Sequence, residues 1–201
     1  MYRYDIINKF IKKYGFKDYL EIGVFKGECI REIECENKDG VDPGIEKVLI
    51  EEVNFPMGSN EFFSQNNKKY DIIFIDGLHH SEQVDLDIEN SIKWTKENGV
   101  ILLHDCNPPT PNHAAVPQIQ ETWNGDVYKS VLKFQKDNQE HLFYTVDTDW
   151  GVGVIEKNRK PMNKMSSESY TNGINDWYYF DVNRNDLLNL ISVDKFLNEF
   201  L

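Results

Sequence analysis

Two apolar runs in the middle of the chain each end in acidic and histidine side chains, the residue types that bind metal ions and move protons. The residues concerned are Asp76, His79 and His80 after the first run, and His104 and Asp105 after the second. A continuous apolar run bounded by turn residues is typical of a strand buried on both faces of a parallel sheet. Because ligands bind beyond the carboxyl ends of such strands, we expect these side chains to lie together at one edge of one sheet.

A turn with two glycines earlier in the chain indicates a second part of the same site. Residues Tyr19–Ile22 are predicted to form a strand, and a turn from Gly23 to Gly27 leads into a helix that we expect to end near Cys35. Glycines let the backbone approach a ligand closely, and a helix N-terminus offers unpaired N–H donors. A dinucleotide-binding fingerprint would carry a glycine where Phe25 stands, so the turn departs from that pattern.

Polar side chains near this turn indicate which ligand it holds. Glu21 lies at the end of the first strand, where a carboxylate repels a pyrophosphate but attracts an ammonium group. The pattern therefore fits S-adenosylmethionine better than NAD. Asp42 follows the predicted second strand, where an acid can accept both hydroxyls of a ribose. Ser59 and Asn60 either contact an adenine or cap a helix.

The spacing of apolar residues predicts an α/β fold around these sites. Strands and helices alternate and end in a hairpin, which is typical of a doubly wound, Rossmann-like sheet of about seven strands, mostly parallel with a C-terminal antiparallel hairpin. We expect a single domain over 1–201, with a core at 15–157 and an extension at 158–201 that begins as a polar loop (158–175). The predicted helices are 4–14, 81–96, 119–135 and 186–201, and the later strands are 53–57, 71–75, 100–103, 141–146 and 152–155. The Asn124-Gly125-Asp126 turn either interrupts the third of these helices or starts it.

Four short motifs together resemble those of a known family. They are Glu21-Ile22-Gly23 with Gly27, Val41-Asp42-Pro43, Ile75-Asp76-Gly77-Leu78-His79 and Leu103-His104-Asp105. In this combination the chain resembles the class I S-adenosylmethionine-dependent methyltransferases, and within them the small-molecule and sugar O-methyltransferase group with an I-D-G-x-H motif. The resemblance covers residues 15–157. Phe25 replaces a common glycine, and Asn60 stands where an acid is often found.

The resemblance implies that S-adenosylmethionine is the cofactor and assigns it a set of binding residues. They are Glu21, Gly23, Val24, Phe25, Gly27, Asp42, Ser59, Asn60 and Asp76. Related O-methyltransferases often bind Mg²⁺ through acids after the fourth and fifth strands, which here are Asp76 and Asp105. His104 stands where several relatives carry a further acid, and an imidazole favours Mn²⁺, Zn²⁺ or Fe²⁺ over Mg²⁺. Asp76, Asp105 and His104 are therefore the predicted ligands of Mg²⁺ or another divalent metal, although a metal-free site stays open.

The adjacent histidines His79 and His80 are suited to remove a proton from the acceptor hydroxyl. A hydroxyl is a poor nucleophile until a base takes its proton, and an imidazole titrates near neutral pH. His79 occupies the motif position and is the predicted base, with Asp76 and His80 as the other candidate catalytic residues. An alternative is that His79 only hydrogen-bonds a neighbouring loop.

The composition limits the partners and the location of the protein. The net charge is −12 over 201 residues, and no basic stretch is long enough to follow a phosphate backbone, which disfavours nucleic acid. No apolar run approaches the ~20 residues that span a bilayer, and the N-terminus lacks the features of a signal peptide. The cysteines form neither a disulfide framework nor a zinc motif. We therefore expect a cytoplasmic protein that has no nucleic-acid or membrane partner, with homo-oligomerisation open.

The sequence thus predicts an enzyme that transfers a methyl group from S-adenosylmethionine to a hydroxyl of a small polar acceptor. A sugar or a nucleotide-sugar in glycan biosynthesis is the expected acceptor. Three alternatives stay open: a metal-dependent hydrolase, which the Asp-x-x-His-His spacing also fits, an NAD-dependent oxidoreductase on a similar fold, and a non-catalytic S-adenosylmethionine-binding protein.

Overall fold

The computed structural model describes residues 1–44, 50–138, 140–162 and 164–201, and a seven-stranded sheet lies at its centre. The strands are β1 (Asp18–Ile22), β2 (Asn37–Val41), β3 (Tyr70–Ile75), β4 (Thr95–Leu103), β5 (Leu142–Val146), β6 (Val152–Glu156) and β7 (Leu190–Ile191). Their order is β2-β1-β3-β4-β6-β5-β7. The first four are parallel, whereas β6 is antiparallel to both β4 and β5. The predicted α/β fold, with a mostly parallel sheet and a C-terminal hairpin, is confirmed.

Helices cover both faces of the sheet. The first ends at Gly15, whose φ of 66° gives a left-handed cap, as the sequence predicted. Within the described ranges, no helix is both long and apolar enough to cross a membrane. The helices are α1 (Arg3–Tyr14), α2 (Ser59–Gln65), α3 (Ser81–Trp94), α4 (Val127–Asp137), α5 (Ser167–Asn175), α6 (Trp177–Leu187) and α7 (Val193–Lys195), which continues into a π-helical turn at Phe196–Phe200.

The inner strands are buried on both faces, as their continuous apolar runs predicted. Ile73 and Ile75 of β3 pack into one core with α3 and α4, whereas Ile72 and Phe74 pack into a second core with α1. Successive side chains of a strand point to opposite faces, so one uninterrupted apolar run serves two cores. The sheet is therefore the middle layer of three, and its carboxyl edge remains free for ligands.

The prediction of a helix between Gly27 and Cys35 is wrong. The structure has only a 3₁₀ turn there, at Ile30–Glu32. Gly27 has a φ of 78°, which is not a helical value, so a helix cannot begin before Glu28. The residues left before β2 are too few to nucleate a stable helix. The turn after β1 therefore offers irregular backbone to a ligand rather than a helix N-terminus.

The prediction of a third strand at 53–57 is also wrong, although the number of strands is right. Phe55 makes a single bridge to Val41. Pro56 has no N–H to donate, so the pairing cannot continue. The seventh strand is instead β7, which pairs with β5 at the opposite end of the sheet.

In the C-terminal half, the helical residues of two segments, 119–135 and 158–175, differ from the prediction. Of the helix predicted over 119–135, only the part after Asn124-Gly125-Asp126 is helical. It begins at Val127, so this turn starts the helix, as one of the two predicted alternatives, and Gly125 takes a φ of 62°. The predicted polar loop 158–175 contains α5, which the side chain of Ser166 caps. This short helix buries Tyr170 and packs Gly173 against Leu132 of α4, so its stability depends on tertiary packing.

Two further boundaries were misplaced. The segment 186–201 is not one helix, since α6 ends at Leu187 and β7 begins at Leu190. The helix predicted to reach Lys96 ends at Trp94, and β4 starts at the next residue. Helix ends are fixed by local hydrogen bonds that apolar spacing does not reveal.

Gly23 brings the end of β1 against the end of β3. A Cβ on Gly23 would lie 2.1 Å from the carbonyl oxygen of Asp76, and Gly23 has a φ of 86°. The Gly23 N–H donates to the Val41 carbonyl at 2.9 Å, and the Asp76 N–H donates to the Ile22 carbonyl at 2.8 Å. Three strands are thus fixed to one another at the point where the polar residues follow them.

We predict that Gly23→Ala destabilises the fold by about 3 kcal/mol or more, because alanine adds both an unfavourable φ and a clash with backbone. The measurement is urea denaturation followed by circular dichroism. Gly58→Ala is the matched control, since a Cβ there meets no atom within 4 Å, and it should cost less than about 1 kcal/mol. Equal losses in the two variants would contradict the role given to Gly23.

Candidate active site

A cavity of about 1000 Å³ opens at the carboxyl ends of β1 to β4. Two predicted residues, Gly27 and His80, do not line this cavity. Gly27 closes the turn by donating its N–H to the Val24 carbonyl at 2.8 Å. His80 occupies the N-cap position of α3, and its ring is edge-on to Trp123. The structure brings the other predicted site residues to the cavity wall: Glu21, Gly23, Val24, Phe25, Asp42, Ser59, Asn60, Asp76, His79, His104 and Asp105.

Asp42 holds the turn after β1 in place. Phe25 has a φ of 50°, which few non-glycine residues adopt, and its N–H donates to Oδ2 of Asp42 at 2.8 Å. The Gly44 N–H donates to the other oxygen, Oδ1, at 2.7 Å. Each carboxylate oxygen keeps further acceptor capacity for a ligand. The predicted ribose-binding acid therefore also shapes the backbone that surrounds the ligand.

Glu21 places a buried carboxyl group on the cavity wall. It is 1% exposed and accepts a hydrogen bond from the Tyr19 hydroxyl. Burial raises the pKa of Glu21 to about 8, and Asp76 adds to the rise, while Tyr19, Cys29 and Arg3 offset only part of it. A cationic ligand in the cavity would restore the charged form.

Ser59 and Asn60 meet two side chains of α3 that were not predicted to belong to the site. Ser59 Oγ donates to Asp87 Oδ1 at 2.6 Å, and Gln83 Nε2 donates to the same oxygen at 3.0 Å. Asn60 Nδ2 donates to Gln83 Oε1 at 3.1 Å. Gln83 and Asp87 are four residues apart in a helix and share one face. That spacing, just after the Asp76 motif, is the signal by which the sequence could have revealed them.

His79 lies between two carboxylates. Its Nε2 is 3.4 Å from Asp76 Oδ1 and 3.4 Å from Asp105 Oδ2, and its Nδ1 is 3.3 Å from the Trp123 carbonyl oxygen. Burial lowers the pKa of His79, but the hydrogen bond to Asp76 and the charges of both carboxylates raise it above its usual range. An imidazolium formed here is therefore stabilised on the Nε2 side.

His104 lies on the other side of the same carboxylates. Its Nδ1 is 3.0 Å from Asp105 Oδ2 and 3.3 Å from Asp76 Oδ1. Although burial opposes its protonation, Asp76 and Asp105 raise the pKa of His104 well above its usual range. Burial would also raise the pKa of Asp76, but His104 and His79 lower it well below its usual range.

Arg3 and Asp149 complete this cluster, and sequence reasoning missed both. Arg3 Nε lies 3.6 Å from Asp76 Oδ2, and its Nη1 lies 3.2 Å from Asp149 Oδ2. His104 Nε2 lies 3.6 Å from the same oxygen of Asp149. Burial would raise the pKa of Asp149, but His104 and Arg3 lower it to about 2. Together with Asp105, three carboxylates thus face the cationic or protonatable side chains of Arg3, His79 and His104.

The turn between β5 and β6 fixes the end of β4. The N–H groups of Cys106 and Asn107 donate to the carbonyls of Gly151 and Trp150 at 3.0 and 2.9 Å. These bonds hold Asp105 at a φ of 60°, a strained value for a non-glycine residue. No short-range pattern marks Asp149 as a site residue, because only the strand order brings this turn to the cavity.

Two tryptophans form the apolar part of the wall. The ring centroids of Trp123 and His79 are 5.4 Å apart, and Trp150 stacks on His113 at 5.7 Å. Asn124, next to Trp123, donates from Nδ2 to Asp105 Oδ1 at 2.5 Å. Its own Oδ1 is buried and has no hydrogen-bond partner in the described part of the chain. Aromatic faces beside polar groups suit a ligand that has both apolar and hydroxyl-bearing surfaces.

The cluster also offers a donor set for a divalent metal. Asp76, His79 and Asp105 each offer one ligand atom, a carboxylate oxygen or an imidazole nitrogen, and these three atoms lie within 4.8 Å of one another. This group contains His79 in place of His104, the third ligand predicted from the sequence. The metal assignment of Asp76, Asp105 and His104 therefore stays a prediction, and His79 is a further candidate ligand.

Comparisons with known proteins bear on this site. Residues 47–106 match a family model described as a methyltransferase domain. The matched segment includes β3, α3 and β4, and with them the acidic and histidine residues that follow the two strands, Asp76, His79, His80, His104 and Asp105. No curated protein sequence matches the chain.

Solved structures of methyltransferases share the fold. The S-adenosylhomocysteine-bound methyltransferase PaMTH1 from Podospora anserina is 14% identical with a TM-score of 0.59, over 78% of each chain. An O-methyltransferase from Bacillus cereus, also in complex with S-adenosylhomocysteine, is 12% identical with a TM-score of 0.52, over 77% of this chain and 80% of its own. The O-methyltransferase TomG from Streptomyces achromogenes, involved in tomaymycin synthesis and in complex with S-adenosylmethionine, is 9% identical with a TM-score of 0.55, over 78% and 80%.

At these identities the solved structures establish a shared fold. The family model adds an independent match at the level of sequence. Both findings agree with the resemblance that the motifs indicated: residues 47–106 match the model of a methyltransferase domain, and the chain has the fold of these solved methyltransferases.

Proposed function

We propose that this protein transfers a methyl group from S-adenosylmethionine to a hydroxyl group of a small-molecule acceptor. The observation that carries the proposal is that one cavity contains both the buried Glu21 with Asp42 and the His79 imidazole between Asp76 and Asp105. Glu21 and Asp42 suit a nucleoside that carries a cationic group, and the His79 imidazole suits removal of a proton from the acceptor. S-adenosylmethionine supplies an electrophilic methyl group on a sulfonium sulfur.

The residues around the turn after β1 fit this cofactor. The buried Glu21 carboxyl pairs with the ammonium group of the ligand, which offsets the cost of burying its charge. Asp42 accepts hydrogen bonds from the ribose hydroxyls, and Ser59 and Asn60 lie on the wall that remains for the adenine. Gly23, which has no side chain, lets the ligand approach the backbone closely.

His79 acts as the general base in this proposal. A proton on Nδ1 is donated to the Trp123 carbonyl, which leaves Nε2 free to take a proton from the acceptor hydroxyl. The imidazolium then lies between Asp76 and Asp105, and their charges stabilise it. Because the same carboxylates raise the pKa of His79, the neutral form that acts as base becomes more abundant as the pH rises.

A sugar hydroxyl is the acceptor that we favour. Trp123 and Trp150 offer aromatic faces on which a sugar ring can stack. Acidic groups outnumber basic ones on the cavity wall, which favours a neutral sugar over a nucleotide-sugar with its diphosphate. The acidic lining residues are Glu21, Glu28, Asp42, Asp76, Asp87, Asp105 and Glu121, and the lysine and arginine residues are Arg3 and Lys26.

A divalent metal would be held by Asp76 and Asp105 with the imidazole of His104, because a metal on His79 would occupy the Nε2 that takes the proton. Carboxylate oxygens with an imidazole nitrogen suit Mn²⁺ better than Mg²⁺. When bound, such an ion lowers the pKa of the acceptor hydroxyl. Arg3 and the histidines already neutralise these carboxylates in part, so we expect the ion to bind in competition with protons.

The first test is calorimetric titration with S-adenosylhomocysteine in buffers of different ionisation enthalpy. If the ammonium group restores the charge of Glu21, whose pKa burial raises to about 8, binding releases a proton at pH 7, and the release falls as the pH rises toward that pKa and beyond it. Glu21→Gln should release none, and the cavity-lining control Glu28→Gln should behave as the wild type. Binding without proton release would contradict the role of Glu21, and no binding at millimolar ligand would overturn the proposed function.

The second test separates the two adjacent histidines. His79→Ala should lower turnover by about 100-fold or more, because a positioned base contributes that much, with little change in affinity for S-adenosylhomocysteine. His80→Ala, outside the cavity, should lose less than about fivefold. The measurement is release of S-adenosylhomocysteine at pH 8.5, with the best acceptor from a panel of neutral sugars and nucleotide-sugars. Equal losses in the two variants would remove His79 as the base.

The third test concerns the metal. Titration with Mn²⁺, followed by electron paramagnetic resonance, should show binding that weakens about tenfold or more in Asp105→Asn, because a charged ligand is lost. Asp147→Asn is the control, since this acid lies in the turn after β5 and outside the cavity. If both variants bind Mn²⁺ as the wild type does, Asp105 is not a metal ligand.

A further inference from the structure

One short segment of the chain, 123–126, holds the proposed base. The Trp123 carbonyl oxygen is 3.3 Å from His79 Nδ1, and the Asp126 N–H donates to the His79 carbonyl at 3.1 Å. The Asp126 carboxylate also accepts from the N–H of Ser81, two residues after His79, at 2.6 Å. The segment therefore contacts both the ring of His79 and the backbone that carries this ring.

Gly125 permits this close approach. A Cβ on Gly125 would lie 1.9 Å from the His79 carbonyl oxygen, and Gly125 has a φ of 62°. The N–H groups of Asn124 and Gly125 donate to the His113 carbonyl at 2.9 and 3.1 Å. These contacts fix the segment both to His79 and to the loop before it, so the side chain of Asn124 starts from a fixed backbone.

The side chain of Asn124 binds one of the two carboxylates beside His79. Asn124 is 1% exposed, and its Nδ2 donates to Asp105 Oδ1 at 2.5 Å. No other group among the described residues donates to this oxygen. The second oxygen, Oδ2, is 3.4 Å from His79 Nε2 and 3.0 Å from His104 Nδ1. Asn124 therefore occupies one oxygen of Asp105 and leaves the other to the imidazoles.

This arrangement has a cost that packing alone does not explain. Asn124 Oδ1 is buried without a hydrogen-bond partner in the described part of the chain, and Asp105 keeps its strained φ of 60°. Turning the amide over would not remove the cost, because it would bring Oδ1 against a carboxylate oxygen. Buried polar atoms without partners and strained backbone are concentrated at functional sites, which indicates a functional role for the bond between Asn124 and Asp105.

We propose that Asn124 is a positioning residue for methyl transfer: it holds the Asp105 carboxylate in the orientation that stabilises the His79 imidazolium. Without the Nδ2 donor, the carboxylate is free to rotate, and its contact with His79 loses its fixed geometry. This inference rests on the proposed function, because it takes His79 as the general base.

The experiment measures kcat and KM by release of S-adenosylhomocysteine, with the best acceptor from the same panel of sugars and nucleotide-sugars. Asn124→Leu removes the donor at a similar side-chain volume. It should lower kcat about tenfold or more, because a small misplacement of a catalytic group is costly. KM for the acceptor and the affinity for S-adenosylhomocysteine should change less than about threefold.

Asn112→Leu is the matched control and should keep the wild-type kcat. Asn112 is exposed in the loop before the segment and lies outside the cavity. Its side chain makes no hydrogen bond within the described part of the chain. If Asn124→Leu does not unfold cooperatively on heating, Asn124→Ala takes its place, with the same expectations.

A double-mutant cycle distinguishes positioning from a general loss of structure. If Asn124 acts through His79, Asn124→Leu should lower the residual turnover of His79→Ala by less than about twofold, because the partner of the interaction is already gone. A merely structural role would lower this turnover by the same factor as in the wild type.

The outcomes separate this inference from the proposed function. If the wild type neither binds S-adenosylhomocysteine nor releases it, the proposed function fails and this inference fails with it. If the wild type is active and His79→Ala is impaired, three results overturn only the role of Asn124. They are a wild-type kcat in the Asn124 variant, a loss that lies in KM alone, and a loss of equal size in the His79→Ala background.

Discussion

The close approach of β1 to β3 at Gly23 is the constraint on which the cavity depends. The backbone of Gly23 lies against the carbonyl of Asp76, where any side chain would force the two strands apart. This contact puts Glu21, near the end of one strand, and His79, just past the end of the other, on walls of the same space. A separation of the strands would divide Glu21 and Asp42 from His79 and its two carboxylates without altering either group.

The two halves of the cavity differ in how their charges are balanced. Around Asp76 and Asp105, carboxylates alternate with Arg3 and the histidines, so most charges are paired within the protein. In the described part of the chain Glu21 has no cationic side chain within ion-pair distance, and burial raises the pKa of its carboxyl group to about 8. The charged half is therefore organised within the protein, whereas Glu21 would become fully charged only beside the ammonium group that we propose it binds. Such a division fits a site where one side positions groups and the other recognises a cation.

Much of the fold and part of the site could be predicted from the sequence, because both leave local signals. The apolar run of β3 and the residues Asp76 and His79 that follow it predicted a buried strand with chemistry at its end. Arg3 and Asp149 leave no such signal, since only the strand order and helix packing bring them to the cavity from distant parts of the chain. The cytoplasmic location and the oligomeric state rest on composition alone and stay predictions.

The short strand β7 has a consequence for the solubility of the whole chain. It pairs with Thr145 and Val146 and so covers the end of what would otherwise be the open edge of the C-terminal hairpin. An uncovered edge strand presents unpaired N–H and C=O groups that recruit other chains. The helices around β7 also bury Phe180 and Phe196 against the sheet. The extension 158–201 thus protects against aggregation. Removing it would expose unpaired N–H and C=O groups at the end of β5 to other chains.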